Sequence, residues 1–396
     1  MKSGLVNVVL DESWGSSGKG KLTGYLADKF GVAHISSSNF PNAGHSVVFP
    51  SGYKFVAKAI PTALALNQEK GFGTTGYISP GSGFDTKQLF KEWLQCNKPR
   101  IFIHDRASIV TSEHARRERE GQESTKHIAS TMQGSGTAYA DKILRKSDVT
   151  LAGTHPVSTW LLSDDEPISD ALRAEFEEKV QVVTAFEFRN LTHNILDAGN
   201  IWLHEGSQGY ALSIDHGSHY PQCTSRNCTV QAALDHLAVA PQKLGDVYLN
   251  MRSYPIRVGN VVEDGVQKGF SGDFMPDSRE VTWEEIATKS GMPAEEAAKL
   301  AERERTTVTK RIRRVATRSD ILLKDAVRVN GVTKLAMNFV QYWNWKDAGL
   351  KGGKEAFEKL SKETRAELAH IEELVNLPVT IIGTGALHDE VIDLDT

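Results

Sequence analysis

Short apolar runs recur along the whole chain: Val6–Leu10, Val32–Ser36, Ile101–His104, Ile201–His204, Val247–Met251, Lys334–Phe339 and Val379–Ile382. Runs of this length, rich in valine and isoleucine, predict strands buried on both faces. Between them lie segments with helical spacing of apolar positions. Thr86–Gln95, Glu175–Phe188 and Lys362–Leu374 are the clearest, and another runs from Lys19 toward Phe30. Strands alternating with helices predict an α/β fold, with a twisted, mostly parallel central sheet flanked by helices. No internal repeat or long low-complexity linker interrupts the pattern, so residues 1–396 read as one domain with inserted loops and helices. The charged stretch Pro293–Arg318 divides in two. Ala294–Arg305 reads as a solvated helix, whereas Thr306–Arg318 is too basic for a plain surface helix. In open α/β sheets ligands gather at the carboxyl ends of strands, and that is where candidate chemistry is sought.

Composition narrows the class. A chain of 396 residues accommodates one large α/β domain or a few ordinary ones. A net charge of −4 removes any global electrostatic case for a nucleic-acid or membrane partner, so a basic site must be local. Cys96, Cys223 and Cys228 have neither zinc-site nor disulfide-framework spacing. With no signal-like leader and no long apolar span, the expectation is a reducing, cytoplasmic setting.

The most informative motif is Trp14-Gly-Ser-Ser-Gly-Lys-Gly-Lys21, between the first strand and the first helix. Strand, glycine-rich turn and helix make a cradle for phosphate. Glycine lets backbone N–H groups approach the oxygens, the helix N-terminus adds positive potential, and Lys19 neutralises charge. The spacing is not that of the common P-loop, and the turn alone reads equally well as an ordinary loop. Asn42-Ala-Gly-His45 places small residues before a histidine, which suits close approach to a ligand; a packed histidine is the bland alternative. Ser130-Thr-Met-Gln-Gly-Ser-Gly136 offers hydroxyls and free amides to a second phosphate. Gln208, in Glu205-Gly-Ser-Gln-Gly209, carries a donor and an acceptor that suit a purine edge. Tyr220-Pro-Gln-Cys-Thr-Ser225 adds further hydroxyls. In the basic stretch, Arg311, Arg313 and Arg314 can grip carboxylate or phosphate in bidentate fashion. Without interleaved aromatics, a small anionic substrate is a better reading than nucleic acid.

Taken in order, these motifs, with Ala138-Tyr-Ala-Asp-Lys142, Ile214-Asp-His-Gly217 and Ile382-Gly-Thr-Gly385, resemble the adenylosuccinate synthetase family over nearly the whole chain. The resemblance implies a P-loop-related fold and a C–N ligase. That family phosphorylates O6 of a 6-oxopurine monophosphate with a nucleoside triphosphate, and the amine of L-aspartate then displaces the phosphate. It further implies that Gly15, Ser17, Gly18, Lys19, Gly20 and Lys21 hold the triphosphate, with Gly383 and Gly385 beside it. His45 is expected to stabilise the transferring group, and Gly44, through its carbonyl, and Ser16 to ligate Mg²⁺. Ser16, Asn42, Ser130, Thr131, Gln208, Thr224 and Arg311 are expected around the purine nucleotide. Thr307, Val308, Thr309, Arg311 and Arg313 are expected around aspartate. Arg145 is expected to reach the active site of a neighbouring subunit, which implies a homodimer.

Two departures matter. The family reads Trp-Gly-Asp-Glu-Gly-Lys-Gly-Lys, and Ser16 and Ser17 replace the acidic pair here. The lost aspartate takes the N1 proton in the family; a serine hydroxyl is a poor base unless activated. A guanine base carries a 2-amino group beside N1, which a carboxylate would crowd and a serine can accept a hydrogen bond from. The same swap marks a phage-encoded branch of the family that acts on dGMP and yields 2-amino-2′-deoxyadenylosuccinate, so Ser16 is expected at the catalytic centre on dGMP. The alternatives are a synthetase acting on IMP and a non-catalytic nucleotide-binding protein. The second departure is Met337–Asn344, which lacks the family's lysine–aspartate pair for reading GTP. Asn338 and Gln341 offer amides that match an adenine edge, so ATP or dATP is the expected donor. Gln133 also stands where the family usually has arginine.

Overall fold

The computed structural model describes residues 1–121, 124–161, 168–306 and 309–395. Ten strands form the central sheet: β1 (Val6–Asp11), β2 (His34–Ser37), β3 (Thr75–Ile78), β4 (Ile101–His104), β5 (Val180–Val183), β6 (Trp202–Glu205), β7 (Leu244–Arg252), β8 (Lys334–Asn338), β9 (Val379–Gly383) and β10 (Val391–Asp393). Their spatial order is β10-β9-β8-β7-β1-β6-β2-β3-β4-β5. Neighbours are parallel throughout except β9 and β10. The α/β expectation is borne out.

Successive side chains along a strand point to opposite faces, and the two halves of the core follow from that alternation. Val9, Ile35, Leu203, Tyr248 and Ala336 pack into one apolar cluster. Val6, Val8, Leu10, Trp202, Leu249 and Met337 pack into another. Every residue of β1 is buried, as a strand between two helical layers must be.

Several boundaries differ from those the pattern suggests. Glu175–Phe188 is not one helix: a helix at Asp170–Lys179 ends in β5, and a second helix begins at Ala185. The β-branched run Val180-Gln-Val-Val183 favours a strand and pairs with β4. Thr184 then restarts the helix through a capping box, its backbone N–H donating to Glu187 Oε2 at 2.8 Å. Strand β3 escapes the pattern because Gly76 breaks its apolar run. A Cβ there would lie 2.7 Å from Leu64 Cδ1, so glycine lets a neighbouring segment pack against the strand. Strand β8 stops at Asn338 because Phe339 takes a left-handed φ of 62°.

At the carboxyl edge, a hairpin of His45–Val48 and Lys54–Ala57 covers one side. A small antiparallel sheet of Ile256–Arg257, Arg314–Ala316 and Glu280–Val281 covers the other. The latter rests on a third apolar cluster built on Tyr254, Trp283, Ile286, Leu300 and Tyr342. It carries the basic stretch to the strand ends.

Candidate active site

The carboxyl ends of β1, β6, β7 and β8 meet at a cleft of about 460 Å³: Arg252 and Asn338 line it, while Asp11 and Glu205 are buried behind the lining residues Ser17, Lys19 and His45. The turn after β1 forms its centre. Gly15 and Gly18 take φ of 91° and 94°, which glycine adopts without strain. Helix α1 (Lys19–Phe30) starts directly after Gly18, so its unbonded N–H groups face the cleft. Lys19 is buried; its Nζ lies 3.1 Å from Asp11 Oδ2 and donates to the Gln208 carbonyl at 2.7 Å. Asp11 also accepts from the Ser17 hydroxyl and, at 2.8 Å, from Ser13 N–H. Asn250 Nδ2 donates to Ser17 Oγ at 2.6 Å, and Asn338 Nδ2 donates to Asn250 Oδ1 at 2.6 Å. Ser17 is therefore locked into the floor. Ser16, with φ of 53°, is instead exposed at the cleft.

Gly20 brings the hairpin close. A Cβ on it would stand 2.7 Å from the Ser46 carbonyl oxygen and 2.8 Å from Ser46 N, so only glycine lets α1 approach the strand that bears His45. His45 Nδ1 lies 2.7 Å from Glu205 Oε1. Thr62 completes the arrangement, donating to Glu205 from its backbone at 2.8 Å and its hydroxyl at 2.7 Å. Burial alone would raise the Glu205 pKa, but His45 and the two Thr62 bonds outweigh it and hold the carboxyl below its ordinary value. An ionised acceptor fixes the proton on Nδ1 and leaves Nε2 as the free ring nitrogen.

Other expected residues line the same cleft: Asn42, Gly44, Thr131, Thr224, Arg313, Asn338 and Gly385. Asn42 Oδ1 and Gln208 Nε2 are buried with no partner among the described residues, as groups awaiting a ligand would be. Ser130 lines the cleft, but its hydroxyl donates to Glu118 Oε1 at 2.7 Å; Glu118 also accepts from Gly134 N–H and so shapes this loop. Lys21 Nζ donates to the carbonyls of Gly385 at 2.7 Å and Glu390 at 2.8 Å. Burial pushes its pKa down to about 7, with Glu390 and Asp389 offsetting part of the shift.

Not every expected residue reaches the cleft. Arg311 spends its fork on the carbonyls of Gly259 at 2.9 Å, Ala129 at 2.9 Å and Ser130 at 3.1 Å, while Nε donates to Thr309 Oγ1 at 3.1 Å. It ties the loop at Ala129–Ser130 to the basic stretch and is absent from the cleft lining. Thr309 bonds Thr306 at 2.6 Å and is likewise outside the lining. Gln341 is buried behind the wall, and Gly383 lies beneath it against the Asn338 side chain. Asn338 has its amide nitrogen committed to Asn250. Arg145 is exposed and away from the cleft. Thr307 and Val308 lie outside the described residues.

Sequence reasoning assigned no role to Asp11, Glu205, Asn250, Arg252 or Glu304. Asp11, Glu205 and Arg252 end strands, a position that flags them once strand limits are known. Arg252 is buried, donating to the Ser16 carbonyl at 2.9 Å and to Glu304 Oε1 at 2.6 Å, with its guanidinium 4.1 Å from the centre of the Phe339 ring.

The adenylosuccinate synthetase family model matches residues 8–347. The N6-succino-2-amino-2′-deoxyadenylate synthase of Cyanophage S-2L is 32% identical over 339 residues, covering 85% of this chain and 82% of that protein. The enzyme of the same name from Vibrio phage phiVC8 is 31% identical over 350 residues, covering 86% and 88%. The adenylosuccinate synthetase of Thermococcus onnurineus strain NA1 is 29% identical over 388 residues, covering 98% and 97%. A solved structure of the Cyanophage S-2L succinoaminodeoxyadenylate synthetase, bound to dGMP and dATP as an energy donor, superposes with a TM-score of 0.75 at 28% identity, covering 99% of this chain and 96% of that one. Fully ligated adenylosuccinate synthetase from Plasmodium falciparum shares the fold, with a TM-score of 0.74 at 18% identity.

Proposed function

The chain belongs to the adenylosuccinate synthetase family and is a C–N bond-forming ligase, and from that premise we propose that it joins L-aspartate to C6 of dGMP. ATP or dATP is the phosphoryl donor, and the product is 2-amino-2′-deoxyadenylosuccinate. The observation that carries this reading is the turn after β1: it exposes Ser16, where the family has an aspartate, at the cleft and holds Ser17 in the floor. A guanine 2-amino group fits against a short acceptor. The two phage relatives, named for a 2-amino product, support the same choice.

The chemistry follows from the arrangement. The O6 of dGMP attacks the γ-phosphorus as N1 gives up its proton to water, the bond to the β-bridging oxygen breaks, and ADP or dADP leaves. The aspartate amine then attacks C6 and inorganic phosphate departs with O6, the amine losing a proton. Phosphorylation is needed because an amide-like oxygen is a poor leaving group. His45 Nε2 donates to the transferring phosphoryl oxygens when the ring is protonated, and Glu205 supports that charge through Nδ1. Lys19, Lys21 and the N–H groups at the start of α1 hold the donor phosphates.

Among the described residues no three histidine, cysteine or acidic side chains gather around one point. The oxygen donors at the cleft, Ser16 Oγ and the Gly44 carbonyl, suit Mg²⁺ carried in largely by phosphates. That ion would neutralise phosphate charge. Asn42, Thr131, Gln208 and Thr224 would hold the purine nucleotide, and Arg313 the aspartate. The exposed Arg145 would complete the site of a second copy, making the working unit a homodimer of single-domain subunits.

A second reading, adenylosuccinate synthesis from IMP, is favoured by the match to archaeal adenylosuccinate synthetases over 98% of the chain. The deciding assay offers purified protein L-aspartate, Mg²⁺ and either ATP or dATP, with dGMP or IMP separately. Product from dGMP and little from IMP is expected. Product from IMP alone would overturn the proposal.

A further inference from the structure

Arg252 is buried and Arg313 half-buried, both border the cleft, and they share one carboxylate. Glu304 Oε1 accepts from Arg252 Nη2 at 2.6 Å, and Glu304 Oε2 lies 3.4 Å from Arg313 Nη1. Tyr342 adds a hydroxyl donor to Glu304 at 2.9 Å. Among the described residues, Nε of both arginines is buried with no acceptor. The rings of Trp283, Phe339 and Tyr342 lie within 5.8 Å of the Arg252 guanidinium. Two fixed cations against one anion leave an excess charge in a poorly hydrated wall, an arrangement that is costly without a further anion.

We propose that Arg252 is a substrate-binding residue: with Arg313 it forms a seat for a carboxylate of the amino-acid substrate, and Glu304 holds the two guanidiniums apart and oriented until that carboxylate arrives. The proposal deepens the ligase reading and rests on it for the class of substrate, an amino acid with a second carboxylate. Placement favours a carboxylate over a phosphoryl group. The seat lies between the Ser16 carbonyl, which Arg252 also holds, and Thr306 at the head of the basic stretch. An amino acid anchored there has its amine beside the turn that faces the purine. Planar forks also match carboxylate geometry in bidentate fashion. The lysine-based phosphate site, by contrast, is built around α1.

The test uses Arg252→Lys and Arg252→Gln in the full-length protein. Steady-state constants are measured with whichever purine monophosphate, dGMP or IMP, the unaltered protein turns over, so failure of the dGMP reading leaves this result intact. Loss of one charge-assisted bidentate contact should raise KM for L-aspartate about 10- to 100-fold. KM for the purine nucleotide and the triphosphate should stay within about twofold. L-Aspartate should raise the melting temperature of the nucleotide-bound unaltered protein and fail to do so for the variants. An unchanged aspartate KM, or a rise shared by all three substrates, overturns the proposal. So does loss of a cooperative melt in both variants, because Arg252 would then be a structural brace.

Discussion

Replacing Glu205 with glutamine tests whether the His45–Glu205 pair is a working charge device or a packing detail. The carboxylate is fully buried and accepts three bonds, from His45 Nδ1, Thr62 N–H and Thr62 Oγ1. Glutamine keeps the shape but supplies one acceptor oxygen and an NH₂ group, so at least one donor is left facing another donor. An unsatisfied buried partner costs about 1–3 kcal/mol of stability. The catalytic effect is larger. Without the carboxylate the imidazolium loses its counter-charge, and the ring is free to carry its proton on the wrong nitrogen. Removing a comparable stabiliser of transition-state charge costs about 10²–10³ in kcat. The assay is single-turnover formation of ADP or dADP, with triphosphate affinity measured in parallel and expected to change little. A pH series separates the two contributions. The folded pKa of Glu205 lies below its unfolded value near 4.5, so its stabilisation is present above that value and is lost as pH falls through the folded pKa. The stability gap between parent and Glu205→Gln should therefore narrow in acid. Turnover within about threefold of the parent would refute the argument that Glu205 supports charge on His45.

His45→Ala should abolish turnover while nucleotide binding, followed by calorimetry, stays nearly intact; unchanged turnover would remove His45 from the mechanism. Ser16→Asp should lower dGMP use in the product assay, and unimpaired dGMP use would sink the argument from the 2-amino group. Gly20→Ala drives a Cβ into Ser46 backbone atoms at 2.7 and 2.8 Å, which cannot swing aside as a side chain could. It should cost about 1–3 kcal/mol in denaturant titration and weaken triphosphate binding, since α1 and the His45 hairpin must separate. Lys21 has a folded pKa near 7 against an unfolded value of 10.5, so the unfolded chain binds more protons between those limits. Stability should rise with pH across that window, and Lys21→Met should flatten the slope of melting temperature against pH.

The sheet was legible because a strand buried on both faces has little freedom in composition. β1, β4 and β9 stand out as apolar runs for that reason. β3 does not, since its Gly76 answers to Leu64 across the packing layer, a constraint with no local trace. The helix written across Glu175–Phe188 failed at Val180–Val183, where propensity for a strand and a capping threonine together outweighed the flanking helical spacing.

The site divides along similar lines. Residues that meet a ligand through backbone approach leave a dense local motif, and the turn at Gly15–Lys21, the segment Asn42–His45 and Gln208 all reach the cleft. Residues that act through another side chain leave none. Glu205 matters because Thr62 and His45 converge on it, and Asp11 because Lys19, Ser17 and Ser13 do. Arg311 shows the reverse case: a motif arginine whose donors are consumed by the Gly259, Ala129 and Ser130 carbonyls, while two positions away Arg313 keeps a face on the cleft. The loss of acid at Ser16 and Ser17 then has a specific physical meaning. Negative charge at this turn has not vanished; it sits on Asp11, where it anchors Lys19 and Ser17 and is buried. Under the proposed function, a turn so built keeps its phosphate chemistry and frees the space beside N1 of the base.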